Sequence, residues 1–341
     1  MTLAASRGMD DRGSSRVEDE PSSHRRAARL TGFASRYGAI VALIGMIVFF
    51  SLMRPDSFPT VENLKSILTL AAPLTVVALG LTVILAMQDF DLSFGAMIGL
   101  GGATAVVSMA NAGTPWGWAI ALAIALAIVV GVTNGILVAY LGGSSFIVTL
   151  GMSSVLIGIE FLITDQRTIF SGIPHGYTQL GQSQPFLGLN AEIWIAAALA
   201  IVMWAMLDHT EVGRYIYAIG GNSEAARLSG IRVRALRTVG FVIVAVLATV
   251  TGILITAQSA SSTPQAGIPY LLPAYAAVFL GTAMLRPGEF NIPGTIVGVL
   301  FLGVIQDGLT MLQLSTATVN IVQGGVLVAA VMLSRLGQRA P

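Results

Sequence analysis

The chain has 341 residues, of which 55% are hydrophobic and only 10% charged, with a mean hydropathy of +0.80. A soluble domain carries roughly 25% charged residues to wet its surface, so a lipid bilayer is the solvent that suits this composition. A net charge of +1 gives no sign of a nucleic-acid partner, and the lack of cysteine excludes disulfides, iron–sulfur clusters and thiolate zinc sites.

Residues 1–36 are rich in Arg, Ser, Asp and Glu and read as a disordered cytoplasmic tail. Their acidic residues, and the lack of a small-residue cleavage site after the first apolar run, argue against a signal peptide. Apolar runs follow near 37–53, 64–86, 92–110, 116–139, 146–163, 192–207, 236–257, 270–285, 292–312 and 318–334. The first would reach about 26 Å as a helix, close to a hydrocarbon core of roughly 30 Å. The expected fold is therefore an all-α integral membrane bundle of about ten transmembrane helices, with a membrane domain over 37–335. The eighth run is the weakest, because Pro269 and Pro273 crowd its start.

Arginine placement sets the expected orientation. With both termini in the cytoplasm, 15 of the 18 basic residues fall inside, and only Arg54, Lys65 and Arg167 fall outside. A multi-pass membrane protein follows from this reading. Two connections are long: an outer loop near 164–191 and an inner loop near 208–235.

Several chemistries find no residues to carry them. The single lysine, Lys65, sits at a membrane edge, so no phosphate-binding P-loop is present. No nucleophile–base set suggests an enzyme. His24, His175 and His209 lie in tail and loops without metal-ligand spacing, which fits solvated histidines and no cofactor on this chain.

The inner loop has its own logic. Asn222 or Ser223 can cap a helix whose first turn holds Glu224. Ala225, Ala226, Arg227 and Leu228 favour the helix, and Ser229-Gly230 suits a left-handed stop. A helix of about two turns is marginal alone and calls for a partner surface, although an ordinary connecting helix on the membrane is the plainer alternative.

Here the sequence resembles a known family. Gly213-Arg214, Ala218-Ile-Gly-Gly-Asn222 and Glu224-Ala-Ala-Arg-Leu-Ser-Gly-Ile231 are similar to the cytoplasmic loop of ABC permeases of the ribose, xylose and autoinducer-2 type. Asp91-Leu-Ser-Phe-Gly95, Asn134-Gly135 with Phe146-Ile-Val-Thr-Leu-Gly151, and Leu280-Gly281 with Gly294-Thr-Ile-Val-Gly298 extend the resemblance in order. Two features depart from it: Gln88-Asp89 stands where small residues are usual, and Phe94 where Val is usual. The resemblance implies that the short helix docks on an ATPase subunit. It also implies a second permease copy or paralogue, separate cytoplasmic ATP-binding subunits, an extracytoplasmic solute-binding protein and a small sugar-like substrate.

Polar residues in or beside the apolar runs are candidates for the translocation path: Asp91, Ser93, Asn134, Glu160 and Asp307. An ionised group at mid-bilayer costs upwards of ~2.5 kcal/mol on insertion scales, so these side chains are expected to face the bundle interior or water. Each has a plainer reading. Asp91 and Ser93 can cap the third span, Glu160 can be interfacial, and Asn134, flanked by Gly131 and Gly135, can serve packing. Asp307, beside Gln306, can make a structural hydrogen bond. Trp116, Trp118, Trp194 and Trp204 lie toward span ends, as interfacial anchors do. An ion-coupled transporter using Asp307 or Glu160, or a membrane scaffold without transport activity, are the competing readings.

Overall fold

A computed structural model describes residues 41–282, 286 and 288–337; the expected tail over 1–36 lies outside them. Among the described residues the chain is helical, with only two isolated β-bridges, Ile169 with Ser262 and Phe186 with Leu189. The helices are α1 Val41–Met53, α2 Val61–Ala86, α3 Phe94–Ala112, α4 Trp116–Gly135, α5 Ser145–Thr164, α6 His175–Gln182 and α7 Ala191–His209. They continue with α8 Glu211–Gly221, α9 Ser223–Leu228, α10 Val233–Ser259, α11 Leu271–Thr282, α12 Ile292–Met311 and α13 Thr316–Gly337. A π-turn, Ile136–Tyr140, extends α4, and a 3-10 turn, Ile268–Tyr270, leads into α11.

The helix ends follow from local chemistry. The Thr60 hydroxyl accepts from the Asn63 amide at the start of α2, and the Asn291 side chain accepts from the Gly294 amide at the start of α12. Gly113 closes α3 with a φ of 63°, the left-handed stop that glycine adopts freely.

The elements sort into a centre and a rim. α10 packs on α2, α3 and α4, and α12 packs on α2 and α11. In α2, 78% of the apolar window is buried inside the bundle, against 17% in α5 and 28% in α7. The rim helices therefore keep most of their apolar surface for lipid or another chain. Small residues set the close approaches at the centre. A Cβ on Gly131 of α4 would lie 2.5 Å from Val242 Cα of α10, and one on Gly281 of α11 would lie 2.6 Å from the Gly294 carbonyl carbon of α12. This is how membrane helices gain contact without a hydrophobic driving force between them.

The expectation of ten spans is met in part, with the run expected at 318–334 falling within α13. Seven helices among the described residues are long and apolar enough to cross a membrane: α2, α3, α4 with its π-turn, α5, α7, α10 and α12. Two further apolar helices, Val41–Met53 and Ile268–Thr282, are shorter. The second covers the start of the eighth expected run, whose last residues, 283–285, lie outside the described residues. It begins as a 3-10 turn that contains Pro269 and continues as an α-helix from Leu271, within a residue of the expected start at 270. Two short helices in the long loops, α6 and α8, carry no apolar run long enough to be read from the sequence.

Candidate functional site

The loop between α7 and α10 folds as two consecutive short helices. Thr210 accepts from the Gly213 amide to start α8, and Asn222 both closes α8 and opens α9. The Asn222 side chain accepts from the amides of Glu224 and Ala225 at 3.1 and 3.0 Å, which decides the cap between Asn222 and Ser223. Gly230 follows with a φ of 85°, so the expected two-turn helix and its stop are both present.

α8 is amphipathic and holds α9 against the bundle. Gly213, Ile216 and Ile219 are buried, and Gly220 is so close to the Ala86 carbonyl that a side chain there would collide with the end of α2. The Tyr217 hydroxyl donates to the Phe290 carbonyl just before α12 at 2.8 Å. Burial first, then the neighbouring Asp208 carboxylate, pushes Tyr217 up to about 12, which keeps the phenol a donor. Arg286 reaches Asp208 at the end of α7 at 3.1 Å.

α9 shows its other face to solvent. Arg227 pairs with Glu224 at 2.5 Å, and their hydrogen bond holds the Glu224 carboxyl below its usual range. Leu228 beside them is 77% exposed. Of the remaining candidates, Arg214, Ser223, Ala225 and Ser229 are also exposed, while Ala226 is buried beneath the helix.

The second cluster forms where the chain breaks between α2 and α3. The Asp91 carboxylate accepts from the Ser93 amide at 2.7 Å and the Ser93 hydroxyl at 2.6 Å, and the Asn134 side-chain amide of α4 donates to that hydroxyl at 3.0 Å. Thr149 of α5 accepts from the Leu92 amide, Ser145 accepts from the Phe90 amide, and the Tyr275 hydroxyl of α11 donates to the Asp91 carbonyl. Three separate sequence motifs, around Asp91, Asn134 and Thr149, therefore meet at one buried break. Irregular backbone at membrane depth is tolerated where protein covers it and supplies such partners.

One contact at the break was not legible in the sequence. Asp89, 4% exposed, makes a bidentate pair with Arg237 of α10 at 2.5 and 2.6 Å. The signal was Asp89 itself, an acid where small residues are usual. Its partner lies 148 residues away, one turn into a span.

Glu160 and Asp307 sit elsewhere, toward the end of the bundle opposite α8–α9. Glu160 is fully buried rather than interfacial. It accepts from the Gln265 amide at 3.1 Å and lies in the space left by Gly99, where a Cβ would come within 2.6 Å of its carboxylate. Asp307 lies one turn from the end of α12, beside the Asn63 side chain of α2. Glu192 of α7, not singled out from the sequence, is also fully buried and accepts from the Gln258 side chain at 2.9 Å.

The described residues thus form a many-helix apolar bundle that carries a capped, exposed short helix at one end. The chain belongs to the family described as "Branched-chain amino acid transport system / permease component", whose pattern matches residues 63–331. It is 34% identical to the ribose import permease protein of Escherichia coli (strain K12) over 88% of this chain and 94% of that one. It is 32% identical to the L-arabinose transport system permease protein of the same strain, over 89% and 92%, and 28% identical to its D-allose transport system permease protein, over 94% and 98%. No solved structure matches the chain.

Proposed function

We propose that this chain is the membrane-crossing permease of an ATP-driven importer for a monosaccharide. It would work with a second permease copy or paralogue, separate ATP-binding subunits and an extracytoplasmic solute-binding protein. The ribose, arabinose and allose names of its relatives support a sugar. The observation that carries the mechanism is α9. It is capped by Asn222 and anchored through α8 to the ends of α2 and α12, and it presents Glu224, Arg227 and Leu228 outward.

In this reading an ATPase subunit grips α9 from the cytoplasm. Its motion passes through α8 to α2 and α12, and through the Asp89–Arg237 pair to α10. Both chain termini lie in the cytoplasm of a bacterial inner membrane, which the arginine distribution supports. The Asp91, Ser93 and Asn134 network holds the inner break of the path, and Glu160 and Asp307 flank the path nearer its outer mouth.

Reconstitution with the ATPase and the binding protein, followed by uptake of labelled ribose, arabinose and allose, tests the proposal. ATP-dependent uptake of one of them is expected, with loss of uptake when residues 222–230 are scrambled. Uptake that needs no ATPase and collapses with an uncoupler would sink it.

A further inference from the structure

A cavity of about 380 Å³ opens at the end of the bundle away from α8–α9, between α2, the 3-10 turn before α11, α12 and α13. Tyr270, Gln306, Thr310, Asn320 and Gln323 line it, and no ionisable acid or base does so apart from the tyrosine phenol. Gln306 and Gln323 face each other across α12 and α13 with their amides 3.3 Å apart. Gln306 is exposed although it belongs to an apolar span, about a turn and a half from that span's end. An amide side chain turned toward hydrocarbon would lose its hydrogen bonds at a cost of about 2–7 kcal/mol, so this face of α12 fits a wet cavity. Pro269 and Pro273 add rigid apolar surface beside the Tyr270 ring.

We propose that this cavity is a sugar-holding station in the permease itself. Gln306, Thr310 and Gln323 hydrogen-bond the hydroxyls of one neutral sugar ring, and Tyr270 with Pro273 lies against its C–H face. The inference rests on the importer reading and adds to it a binding site separate from the carboxylates. Neutral amides and hydroxyls can each donate or accept, which suits a polyhydroxylated ligand and offers no counter-charge to an ionic one. The volume lies at the small end of the range for ligand pockets, roughly 300–1,000 Å³, which favours one ring over a chain of them. Gln306 lies 14 residues past the start of α12, about 21 Å along its axis, so a sugar held there is well separated from the ATPase-facing loop.

The chain has no cysteine, so Asn320→Cys places a single thiol at the cavity in an otherwise unreactive protein. The test uses the assembled importer in nanodiscs, with ATPase, nucleotide and excess binding protein, with and without ribose, arabinose or allose. The transported sugar should slow maleimide labelling of the thiol at least about 5-fold, relative to binding protein without sugar. Gln306→Leu should raise the uptake KM about tenfold, as loss of one hydrogen bond to the ligand would, while sugar affinity of the binding protein stays unchanged. The labelling result stands independently if the leucine variant does not fold. Labelling unaffected by sugar, or a thiol joined by oxidation to a second copy of the chain, would overturn the station while wild-type uptake leaves the importer standing. No uptake of any sugar by the wild-type assembly would overturn the importer reading, and the station with it.

Discussion

Asp89 and Arg237 show what a single pair of side chains does in this bundle. The carboxylate is almost wholly buried and the guanidinium partly so, so removing one partner strands the other. Arg237→Ala is expected to cost about 3 kcal/mol, at the low end for a broken buried pair. The double variant Asp89→Asn with Arg237→Met should recover much of that, read as the detergent melting temperature of each purified protein. At Gly99, substitution by leucine would drive a side chain into the Glu160 carboxylate, and the same assay should show a lower melting temperature than for Gly158→Leu, where the added side chain meets open space. Residue identity was legible where local rules suffice. Asn222 and Gly230 announced a cap and a stop. Glu160 was not, because its burial depends on a glycine 61 positions earlier that sequence spacing cannot connect to it.

The elements obey the same division between local and distant causes. Long apolar runs such as α2 and α10 were readable because length and hydropathy alone demand a helix in lipid. α8 was missed because its apolar positions, Ile216 and Ile219, make a one-sided stripe over only 11 residues. α11 starts within a residue of where its apolar run begins, because the 3-10 turn that holds Pro269 carries the chain directly into it. The cap of α9 is the most testable detail at this level. Asn222→Ala should remove about 1 kcal/mol from so short a helix, lowering sugar uptake several-fold while ATP hydrolysis by the ATPase falls less. Asn222→Asp should behave like the native chain, since aspartate caps as well. Gly131→Leu should separate α4 from α10, because the backbone of Val242 fills that space. The expected readout is poor yield of folded protein in detergent and greater protease sensitivity, with Gly117→Leu at an open position as the unaffected control.

At the scale of the whole molecule, the arrangement separates two jobs by distance. α9 stands exposed at one end, and the cavity beside Gln306 lies at the other. If the exposed pair on α9 is what the ATPase grips, reversing it with Glu224→Arg and Arg227→Glu should keep the helix, since an ion pair at the same spacing remains. Uptake driven by the unmodified ATPase should nevertheless drop at least tenfold, and an undiminished rate would show that charge order on α9 does not matter to the partner. Family and architecture could be read from the sequence because its motifs are local strings in a fixed order. That the Asp91, Asn134 and Thr149 motifs share one location could not, since the hydrogen bonds that join them link residues dozens of positions apart.

The break between α2 and α3 constrains how such a machine moves. The amides of Met87, Gln88, Asp89, Phe90, Leu92 and Ser93 all have acceptors, drawn from α2 itself, from α5 and from the Asp91 carboxylate. A segment tied to so many neighbours is a poor pivot for melting and re-forming mid-cycle. The chain would instead swing α2, α3 and α5 together as one stiff wedge, with bending left to segments outside that knot.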